Sequence, residues 1–414
     1  MRILLVSPFF PPEVGSAAHL YYELGQALRG RGHEVTVLTG LPRYHVVEPH
    51  AGGRSRPFIR EKYHGLKVIR VFNLDIPWDR PLLRGVDQMV SAAVTFLAGC
   101  SLPPFEVAMV YSPPLPLAVA ALVFCGLRGR PLVLNVQDLF PQSAIDLGVL
   151  SNPYLIQAFR QLEAFLYRRA TLITVHSAGN RRYILEAGGD PGKVTVISNW
   201  VDTDTIRPFP RHNSLRAALG LNDCFLVSFA GIFGYSQDLE TVLASADRLR
   251  DRPDIAFLLV GDGVEKPGLL AMARELNLAN VHFLPMQPKD KYIDVLAASD
   301  LCLATLRRDV RTPVVPSKIL SIMAAGRPVL ASLPQDGDAP RLIAEAGCGL
   351  CVPPGDSDAM AGAIRQFADR PDLCERLGAS GRLYAKRHLS LSGCAEILEG
   401  YFQQITTRMG FPVR

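Results

Sequence analysis

Short, continuously apolar segments alternate with helical segments along this chain, and the alternation starts afresh near its middle. The first series begins with residues 3–7 and 35–39, and the second begins with residues 225–230. Strands that are apolar throughout, rather than at every second position, are typical of parallel sheets that helices cover on both faces. The pattern therefore predicts an α/β chain with two doubly wound, Rossmann-like domains.

A polar, proline-containing stretch at residues 199–214 separates the two series, and we place the domain boundary there. The prediction is a first domain over residues 1–200, a second over 201–392, and a terminal helix within 393–414 that packs back on the first domain. Ligands of doubly wound domains bind at the carboxyl ends of the strands, so we expect the domains to face a central cleft. The predicted strands cover residues 3–7, 35–39, 67–72, 107–111, 131–136, 172–175, 194–197, 225–230, 256–260, 281–284, 301–305, 329–332 and 349–352.

The charge balance argues against one class of partner. Lys and Arg number 44 against 39 Asp and Glu, a formal net charge of +5, and the chain has no zinc finger and no run of Lys or Arg. We therefore expect no nucleic-acid partner. The N-terminus lacks the features of a signal peptide, and the apolar runs 89–100 and 115–127 are shorter than the ~20 residues that span a bilayer. These features predict a cytoplasmic protein, with association at the inner face of the cell membrane left open.

The sequence also argues against a metal site and against two classes of nucleotide-binding enzyme. Cys348 and Cys351 have CxxC spacing, but no two further ligands stand at a suitable distance, so we interpret them as buried apolar residues. The DxD spacing of Asp202 and Asp204 falls in the interdomain link, where Asp caps turns. Neither GxGxxG after the first strand nor GxxxxGK[ST] occurs, which argues against a dehydrogenase and a P-loop enzyme.

Four glycine-containing or helix-starting loops follow predicted strands. They cover residues 8–17, 231–237, 261–263 and 306–317. Glycine lets the backbone approach a ligand closely, and a helix N-terminus attracts anions. A plain turn explains any one of these loops, but four of them at the carboxyl ends of strands favour a ligand site.

One helix opens with an unexpected charge. Ser317 suits the N-cap position of a helix, and Lys318 follows at the first helical position. A cation there opposes the positive end of the helix dipole unless an anion binds beside it. We therefore interpret Lys318 as an anchor for an anionic ligand. Arg307, Arg308 and Arg311 lie in the preceding loop, where they are either solvated or further ligands of the anion.

Several longer stretches resemble the retaining glycosyltransferases of the GT-B fold, family 4. They are RGHEVTVLT (31–39), HSAGNRRYILEAGGDPGKVTVISNWVDTD (176–204), FAGIFGYSQDLETVL (229–243) and LLVGDG (258–263), and the resemblance covers nearly the whole chain. Within that family the chain is most similar to transferases of bacterial surface-polysaccharide assembly, including colanic-acid and O-antigen enzymes that move acetamido-deoxy sugars such as N-acetylfucosamine. The stretches behind this second likeness are VQDLFPQSAIDLG (136–148), VPSK (315–318) and EAGCGLCVPPGD (345–356).

The chain departs from the family pattern at the donor site. Many members carry an E-x7-E motif whose second Glu binds the donor ribose, and these positions are Pro313 and Ser321 here. Many also hold the diphosphate with an Arg and a Lys after the first strand of the second domain, and these positions are Ile232 and Gln237. The chain resembles the polysaccharide subgroup in these substitutions, so they do not imply a loss of activity.

The resemblance implies a retaining, metal-independent transferase without a cofactor. It would move a sugar, expected to be an acetamido-deoxy hexose, from a UDP-sugar on the second domain to a lipid-linked or glycan acceptor on the first. The expected donor-binding residues are Gly231, Gly234, Gln237, Gly261, Met286, Arg307, Ser317 and Lys318, and the expected acceptor-binding residues are Gly15, Ser16 and His19. The expected catalytic residues are Lys318, which stabilises the leaving phosphate, and Asp138, which orients the acceptor hydroxyl or takes its proton.

Several alternatives stay open from the sequence. A UDP-sugar epimerase of the same fold and a non-catalytic sugar-nucleotide-binding scaffold are the rival functions, and NWVD at 199–202 favours the transferase over the epimerase. Asp138 is equally well explained as an N-cap or turn residue, and His19 as a helix-surface residue. Residues 154–169 combine apolar and basic side chains, so they form either a membrane-surface helix or a helix that packs on the core.

Overall fold

The computed structural model describes residues 1–13, 15–42, 57–74, 76 and 81–410. The chain divides into two compact units, one of Met1–Asn199 with Leu391–Arg414 and one of Trp200–Ser390. Each unit is built on one sheet with helices on both sides, so the predicted α/β class with two Rossmann-like domains is confirmed.

Fourteen strands form the two sheets within the described residues. They are β1 (Arg2–Ser7), β2 (Glu34–Gly40), β3 (Phe58–Tyr63), β4 (Leu66–Val71), β5 (Val107–Ser112), β6 (Leu132–Val136), β7 (Leu172–Val175), β8 (Val194–Val196), β9 (Phe225–Ile232), β10 (Ile255–Asp262), β11 (Val281–Leu284), β12 (Leu301–Thr305), β13 (Val329–Ser332) and β14 (Gly349–Val352). The first sheet has the order β3-β4-β2-β1-β5-β6-β7-β8 and the second has the order β11-β10-β9-β12-β13-β14. All neighbouring strands are parallel except β3 and β4.

The helices connect these strands in sequence order. They are α1 (Ser16–Gly30), α2 (Pro81–Ser101), α3 (Leu115–Leu127), α4 (Gln142–Asp146), α5 (Pro153–Arg169), α6 (Ala178–Glu186), α7 (Ser214–Leu219), α8 (Leu239–Asp247), α9 (Lys266–Glu275), α10 (Lys289–Ala298), α11 (Ser317–Ala324), α12 (Asp338–Ala346), α13 (Ser357–Ala368), α14 (Pro371–His388) and α15 (Leu391–Arg408). None of these helices is both long and apolar enough to cross a bilayer.

Strand β3 is the one strand of the described residues that the sequence pattern did not predict. It pairs antiparallel with β4 at the edge of the first sheet, and it alternates half-buried and exposed residues, several of them charged. Charged, half-exposed strands protect a sheet edge from pairing with other chains, so they lack the apolar run that marks an inner strand. His64 and Gly65 make the turn with positive φ angles of 45° and 85°.

The helices of the first unit lie on two faces of its sheet. Helices α2, α3 and α5 each connect a strand to one further along the sheet in the same direction. Because such connections are right-handed, these helices lie on one face of the sheet, where their side chains share a core cluster. Helix α1 crosses in the opposite direction and packs against α15 on the other face. Glu399 of α15 accepts hydrogen bonds from Arg31 and His33, at 2.5 and 2.9 Å, which holds the terminal helix to the first unit.

The cysteine and DxD interpretations agree with the structure. Cys348 is buried and Cys351 is half-buried, and burial raises the pKa of their thiols to about 12 and about 11. Across the described residues, no group of three or more His, Cys, Asp or Glu is arranged to hold a metal ion. Asp202 accepts hydrogen bonds from the backbone of Asp204 and Thr205 at 3.1 and 3.0 Å, which is the turn-capping role expected of it.

Candidate functional site

The candidate donor site of the second unit lies where β9, β10 and β12 end. These three strands are neighbours in the sheet, so the loops that follow them meet at one edge. Helix α11 starts at Ser317 after the loop that follows β12. Its cap position is held by Pro316, and no side chain caps the helix, so the prediction of Ser317 as the N-cap is wrong by one residue. The Ile319 N–H donates to the Pro316 carbonyl at 3.0 Å, so the N–H groups of Ser317 and Lys318 are the ones that this uncapped helix start presents to an anion.

Lys318 is held at this edge without an ionic partner. Its ammonium group donates a hydrogen bond to Oε1 of Gln237 at 2.8 Å and lies 3.5 Å from the centre of the Phe229 ring. No carboxylate of the described residues forms an ion pair with it. Desolvation therefore lowers the pKa of Lys318 well below its usual value. A cation so placed is stabilised when an anion binds beside it.

Gly231 and Gly261 are register partners on β9 and β10, and the backbone explains both. Gly231 has a φ of 151°, and a Cβ atom there would lie 3.2 Å from the ammonium nitrogen of Lys318. A Cβ atom at Gly261 would lie 1.9 Å from the carbonyl oxygen of Gly231, so close strand packing requires this glycine. At Gly234 a Cβ atom would meet nothing nearer than Ile232 at 3.6 Å. Gly231 is thus the glycine that leaves room beside Lys318.

The loop that carries Gln237 is fixed by backbone contacts. Thr305 donates its hydroxyl to the Gln237 carbonyl at 3.3 Å, and the Arg307 N–H donates to the Ser236 carbonyl at 2.9 Å. Asp238, in a left-handed conformation with a φ of 31°, accepts a hydrogen bond from the Gly355 N–H at 3.0 Å. These contacts attach the loop to the ends of β12 and β14, so Gln237 is presented to Lys318 by a supported backbone.

The three arginines of the loop before α11 line a cavity that Lys318 does not line. A cavity of about 420 Å³ is lined by Tyr235, Glu240, Glu265, Arg307, Arg308 and Arg311, among others, and neither Lys318 nor Gln237 lines it. The Arg308 guanidinium donates to the Pro354 carbonyl at 3.2 Å, and the Arg307 guanidinium lies 3.5 Å from the Asp309 carboxylate. The side chain of the expected donor residue Arg307 thus pairs with Asp309 and not with Lys318, while its N–H supports the loop that carries Gln237.

The remaining donor candidates contribute less. Met286 follows β11, the strand beside β10, and it is half-buried. Ser317 is also half-buried, at the first position of α11. Ser321, where many family members have the ribose-binding Glu, forms a side-chain hydrogen bond with Tyr292, which is half-buried and whose pKa is raised by desolvation. The hydroxyl of Ser321 therefore has a protein partner in place of the family's carboxylate.

In the first unit, Asp138 follows β6 at the carboxyl edge of its sheet. It caps no helix, because the cap position of α4 is Pro141, so the N-cap alternative is wrong. The side chain is exposed, and the protein around it still desolvates the carboxylate enough to raise its pKa. Burial, and then the charge of Asp138, raise the pKa of Tyr111.

A buried amide pair next to Asp138 was missed from the sequence. Gln137 and Asn199 exchange two hydrogen bonds of 2.9 and 2.8 Å, and Gln137 also donates to Asn135 at 2.9 Å. Asn135 donates in turn to Thr174 on β7 at 2.9 Å. Both amides occur in quoted stretches, VQDLFP and NWVD, but their pairing across 62 residues depends on the strand order. The pair fixes the backbone that carries Asp138.

The expected acceptor residues Gly15, Ser16 and His19 lie at the start of α1. Gly15 is the N-cap residue, and the His19 N–H donates to its carbonyl at 3.1 Å as the helix begins. His19 is half-buried, and the side chain of Ser16 lies outside the described part of the structure. The loop before α1 follows β1, which is next to β5 in the sheet, so this helix start is at the same edge as Asp138.

Comparisons with known proteins agree with this architecture. The family model "Glycosyl transferase 4-like domain" matches residues 15–200, and "Glycosyl transferases group 1" matches residues 213–384. The chain is 26% identical over 404 residues to the putative colanic acid biosynthesis glycosyl transferase WcaI of Escherichia coli K12, covering 94% of this chain and 96% of that protein. It is 30% identical over 243 residues to the probable glycosyltransferase WbjE of Pseudomonas aeruginosa, covering 58% and 60%.

A solved structure extends the likeness to the whole fold. The crystal structure of Anabaena Alr3699/HepE in complex with UDP superposes with a TM-score of 0.73 and 18% identity, covering 98% of this chain and all of that one. The shared architecture defines the fold as GT-B, and the two matching family models define the class of protein as a glycosyltransferase. With both domain models matched in order, the chain belongs to the family 4 type of these enzymes.

Proposed function

We propose that the chain transfers a sugar, an acetamido-deoxy hexose, from a UDP-sugar to a lipid-linked or glycan acceptor, with retention of configuration and without a metal. The product would enter a cell-surface polysaccharide. The observation that carries the donor part of this proposal is Lys318, a desolvated cation with no carboxylate partner among the described residues.

A nucleotide diphosphate supplies the negative charge that Lys318 lacks among the described residues. Its two phosphates carry about two negative charges near neutral pH, and they would lie beside the ammonium group and the N–H groups of Ser317 and Lys318 that open α11. Gly231 leaves the space for this approach. The same charges develop further on the leaving phosphate during transfer, so a fixed cation stabilises the transition state more than the bound substrate.

The chemistry then needs no cofactor. The bond between the anomeric carbon and the diphosphate oxygen breaks, and a bond from the same face to the acceptor oxygen forms. The acceptor proton passes to the departing phosphate or to Asp138, whose pKa is raised by desolvation, so its carboxylate is a stronger base than an ordinary Asp. Lys318 fills the charge-stabilising role that a divalent cation has in metal-dependent transferases, which supports metal independence.

The polysaccharide role is supported by similarity along the chain. The relative with the longest match of those described above is a putative colanic acid biosynthesis enzyme, and it aligns over 94% of this chain. Acetamido sugars and lipid-linked acceptors are what the resemblance to the colanic-acid and O-antigen enzymes implies.

Turnover with purified protein tests the proposal. The chain is incubated with a panel of UDP-, GDP- and dTDP-sugars, with and without lipid-linked and glycan acceptors, in buffer with and without EDTA. We expect UDP release that requires an acceptor, survives EDTA and gives an α-linked product from an α-linked donor. Epimerised donor without transfer, or binding without any turnover across the panel, would contradict the transferase assignment.

A further inference from the structure

The outer surface of the first unit carries a broad apolar face that no part of the described chain covers. Between Gly85 and Cys100 every exposed residue of α2 is apolar, and the same is true of α3. Leu97 and Leu127 are 65% and 70% exposed, and Met89 is 62% exposed. Single exposed apolar residues are ordinary, but a contiguous set of this kind marks a site of interaction. The exposed residues of this α2–α3 face are Gly85, Val86, Met89, Ala93, Leu97, Cys100, Val123, Gly126 and Leu127.

The two helices form one supported surface. A Cβ atom at Gly99 would lie 2.4 Å from the ring of Phe124, so this glycine allows α2 and α3 to pack closely. The Arg128 guanidinium, just past α3, donates to the carbonyl of Gly99 in α2 at 2.9 Å and ties the ends of both helices together. The inner sides of both helices pack on the sheet, so only their outer sides, which form the α2–α3 face, are open to a partner.

Helix α5 adds positively charged side chains beside the α2–α3 face. It packs beside α3, and its exposed residues include Tyr154, Leu155 and the arginines 160, 168 and 169. None of its exposed residues is acidic, and the α2–α3 face has no charged residue at all. An apolar surface bordered by cations and free of carboxylates matches hydrocarbon bordered by anionic lipid headgroups.

A second copy of the chain fits this surface less well. An isologous dimer would bring the same layer against itself, so arginines would face arginines with no exposed carboxylate on these helices to pair with them. Protein interfaces also have a polar rim and hydrogen bonds, whereas the polar residues of α2 beside this face are few, the half-buried Gln88 and Ser91 and the exposed Ser101.

We propose that the α2–α3 face, with the arginines of α5 at its border, is the surface by which the enzyme lies on an anionic membrane. The apolar side chains would enter the acyl boundary, and the arginines would reach the headgroup phosphates. This deepens the proposed function, since a lipid-linked acceptor resides at that surface. Vesicle binding needs neither donor nor acceptor, so the two proposals fail separately.

Vesicle flotation of the purified full chain tests the surface. We expect it to float with vesicles of phosphatidylcholine and phosphatidylglycerol, and more weakly with phosphatidylcholine alone. Leu97→Glu combined with Leu127→Glu should reduce binding about ten-fold or more to both kinds of vesicle. Arg168→Gln combined with Arg169→Gln should weaken binding to the anionic vesicles alone. Leu383→Glu combined with Ile397→Glu replaces residues of α14 and α15 that are 50% and 52% exposed, and it should leave flotation unchanged.

Two outcomes would overturn the proposal. The first is a wild-type chain that stays unbound with anionic vesicles, or a Leu97→Glu, Leu127→Glu variant that floats as well as the wild type. The second is a wild-type chain that is dimeric by light scattering without lipid while the same variant is monomeric, since the face would then be an interface between copies. Circular dichroism melting of each variant confirms that the protein tested is folded.

Discussion

The ammonium group of Lys318 lies 3.5 Å from the centre of the Phe229 ring, on β9. An aromatic face attracts a cation, but more weakly than a carboxylate in the same position would. The residue therefore keeps a charge that the folded protein compensates only in part. Such an arrangement costs stability in the free protein, and it is repaired when an anion binds.

Replacing Lys318 by methionine should move stability and donor binding in opposite directions. Lys318→Met keeps the length of the side chain and removes a poorly compensated cation, so the free protein should melt at a higher temperature than the wild type. The same change removes the cation from the leaving phosphate, so the activation free energy derived from kcat/KM should rise by ~2–4 kcal/mol. Thermal melting and steady-state kinetics measure the two effects.

The matched control is Lys291→Met, which removes an exposed lysine paired with Asp294 at 3.7 Å. This variant should leave both quantities near wild type. A Lys318→Met enzyme with wild-type kinetics would refute the role given to this residue. A variant that melts lower and also turns over slowly would indicate loss of packing in place of loss of charge.

Binding of UDP should be linked to proton uptake by Lys318. Desolvation lowers the pKa of this lysine in the free protein, and a bound diphosphate favours the charged form and raises it again. At a pH between these two values, binding therefore takes up a proton, and affinity falls as the pH rises. Calorimetric titration of UDP at a series of pH values below 10.5, in two buffers of different ionisation enthalpy at each pH, measures the uptake. Identical heats in both buffers would argue that Lys318 does not titrate on binding, and Lys318→Met should show that behaviour.

The sequence predicted Lys318 as an anion anchor but not its surroundings. A cation in the first turn of a helix is visible from local sequence, because the helix dipole acts over one turn. Gln237 and Phe229 are 81 and 89 positions away, and they meet Lys318 because β9 lies between β10 and β12 in the sheet. The strand order of a parallel sheet is set by long-range packing, so local patterns do not reveal it. The same limit applies to Arg307, which is near Lys318 in sequence but whose side chain pairs with Asp309.

The positions of the inner strands can be predicted from the sequence for a physical reason. Inner strands such as β5 and β12 are buried along their whole length, so their sequences are apolar without interruption. Strand β3 is different because only one of its edges is paired, and Arg60 and Lys62 face water while Glu61 pairs with the buried Arg70. For α2 and α3 the sequence shows only apolar runs too short to span a bilayer. A continuous apolar run does not reveal which side of a helix faces the core, so their exposed apolar residues are not predicted.

Alanine at Gly231 should weaken donor binding, whereas alanine at Gly220 should not. Gly231 has a φ of 151°, which side chains other than glycine rarely adopt, and its Cβ atom would lie 3.2 Å from the Lys318 ammonium nitrogen. We expect Gly231→Ala to lose about 1–3 kcal/mol of stability and to weaken UDP binding measurably. Gly220→Ala is the matched control, because Gly220 also has a positive φ, of 70°, and its Cβ atom would meet nothing within 4 Å. Equal UDP affinities for the two variants would contradict a donor site beside Gly231.

The stability of the first unit should depend on Glu163 of α5. This side chain is 2% exposed and accepts a hydrogen bond from the Tyr167 hydroxyl at 2.8 Å, and burial raises its pKa from 4.5 to about 7. Because the folded state holds its proton more tightly than the unfolded state, stability falls as the pH rises from about 4.5 to 7 and is then constant. Glu163→Gln keeps the shape and cannot ionise. The free energy of unfolding of this variant should therefore exceed that of the wild type by an amount that grows across that pH range. Above it the difference should stay constant, on the order of 3 kcal/mol, and melting temperatures measured at each pH follow it. The exposed Glu396→Gln should show no such pH-dependent advantage, and a Glu163→Gln advantage that is the same at pH 5 and pH 8 would show that Glu163 does not ionise in this range.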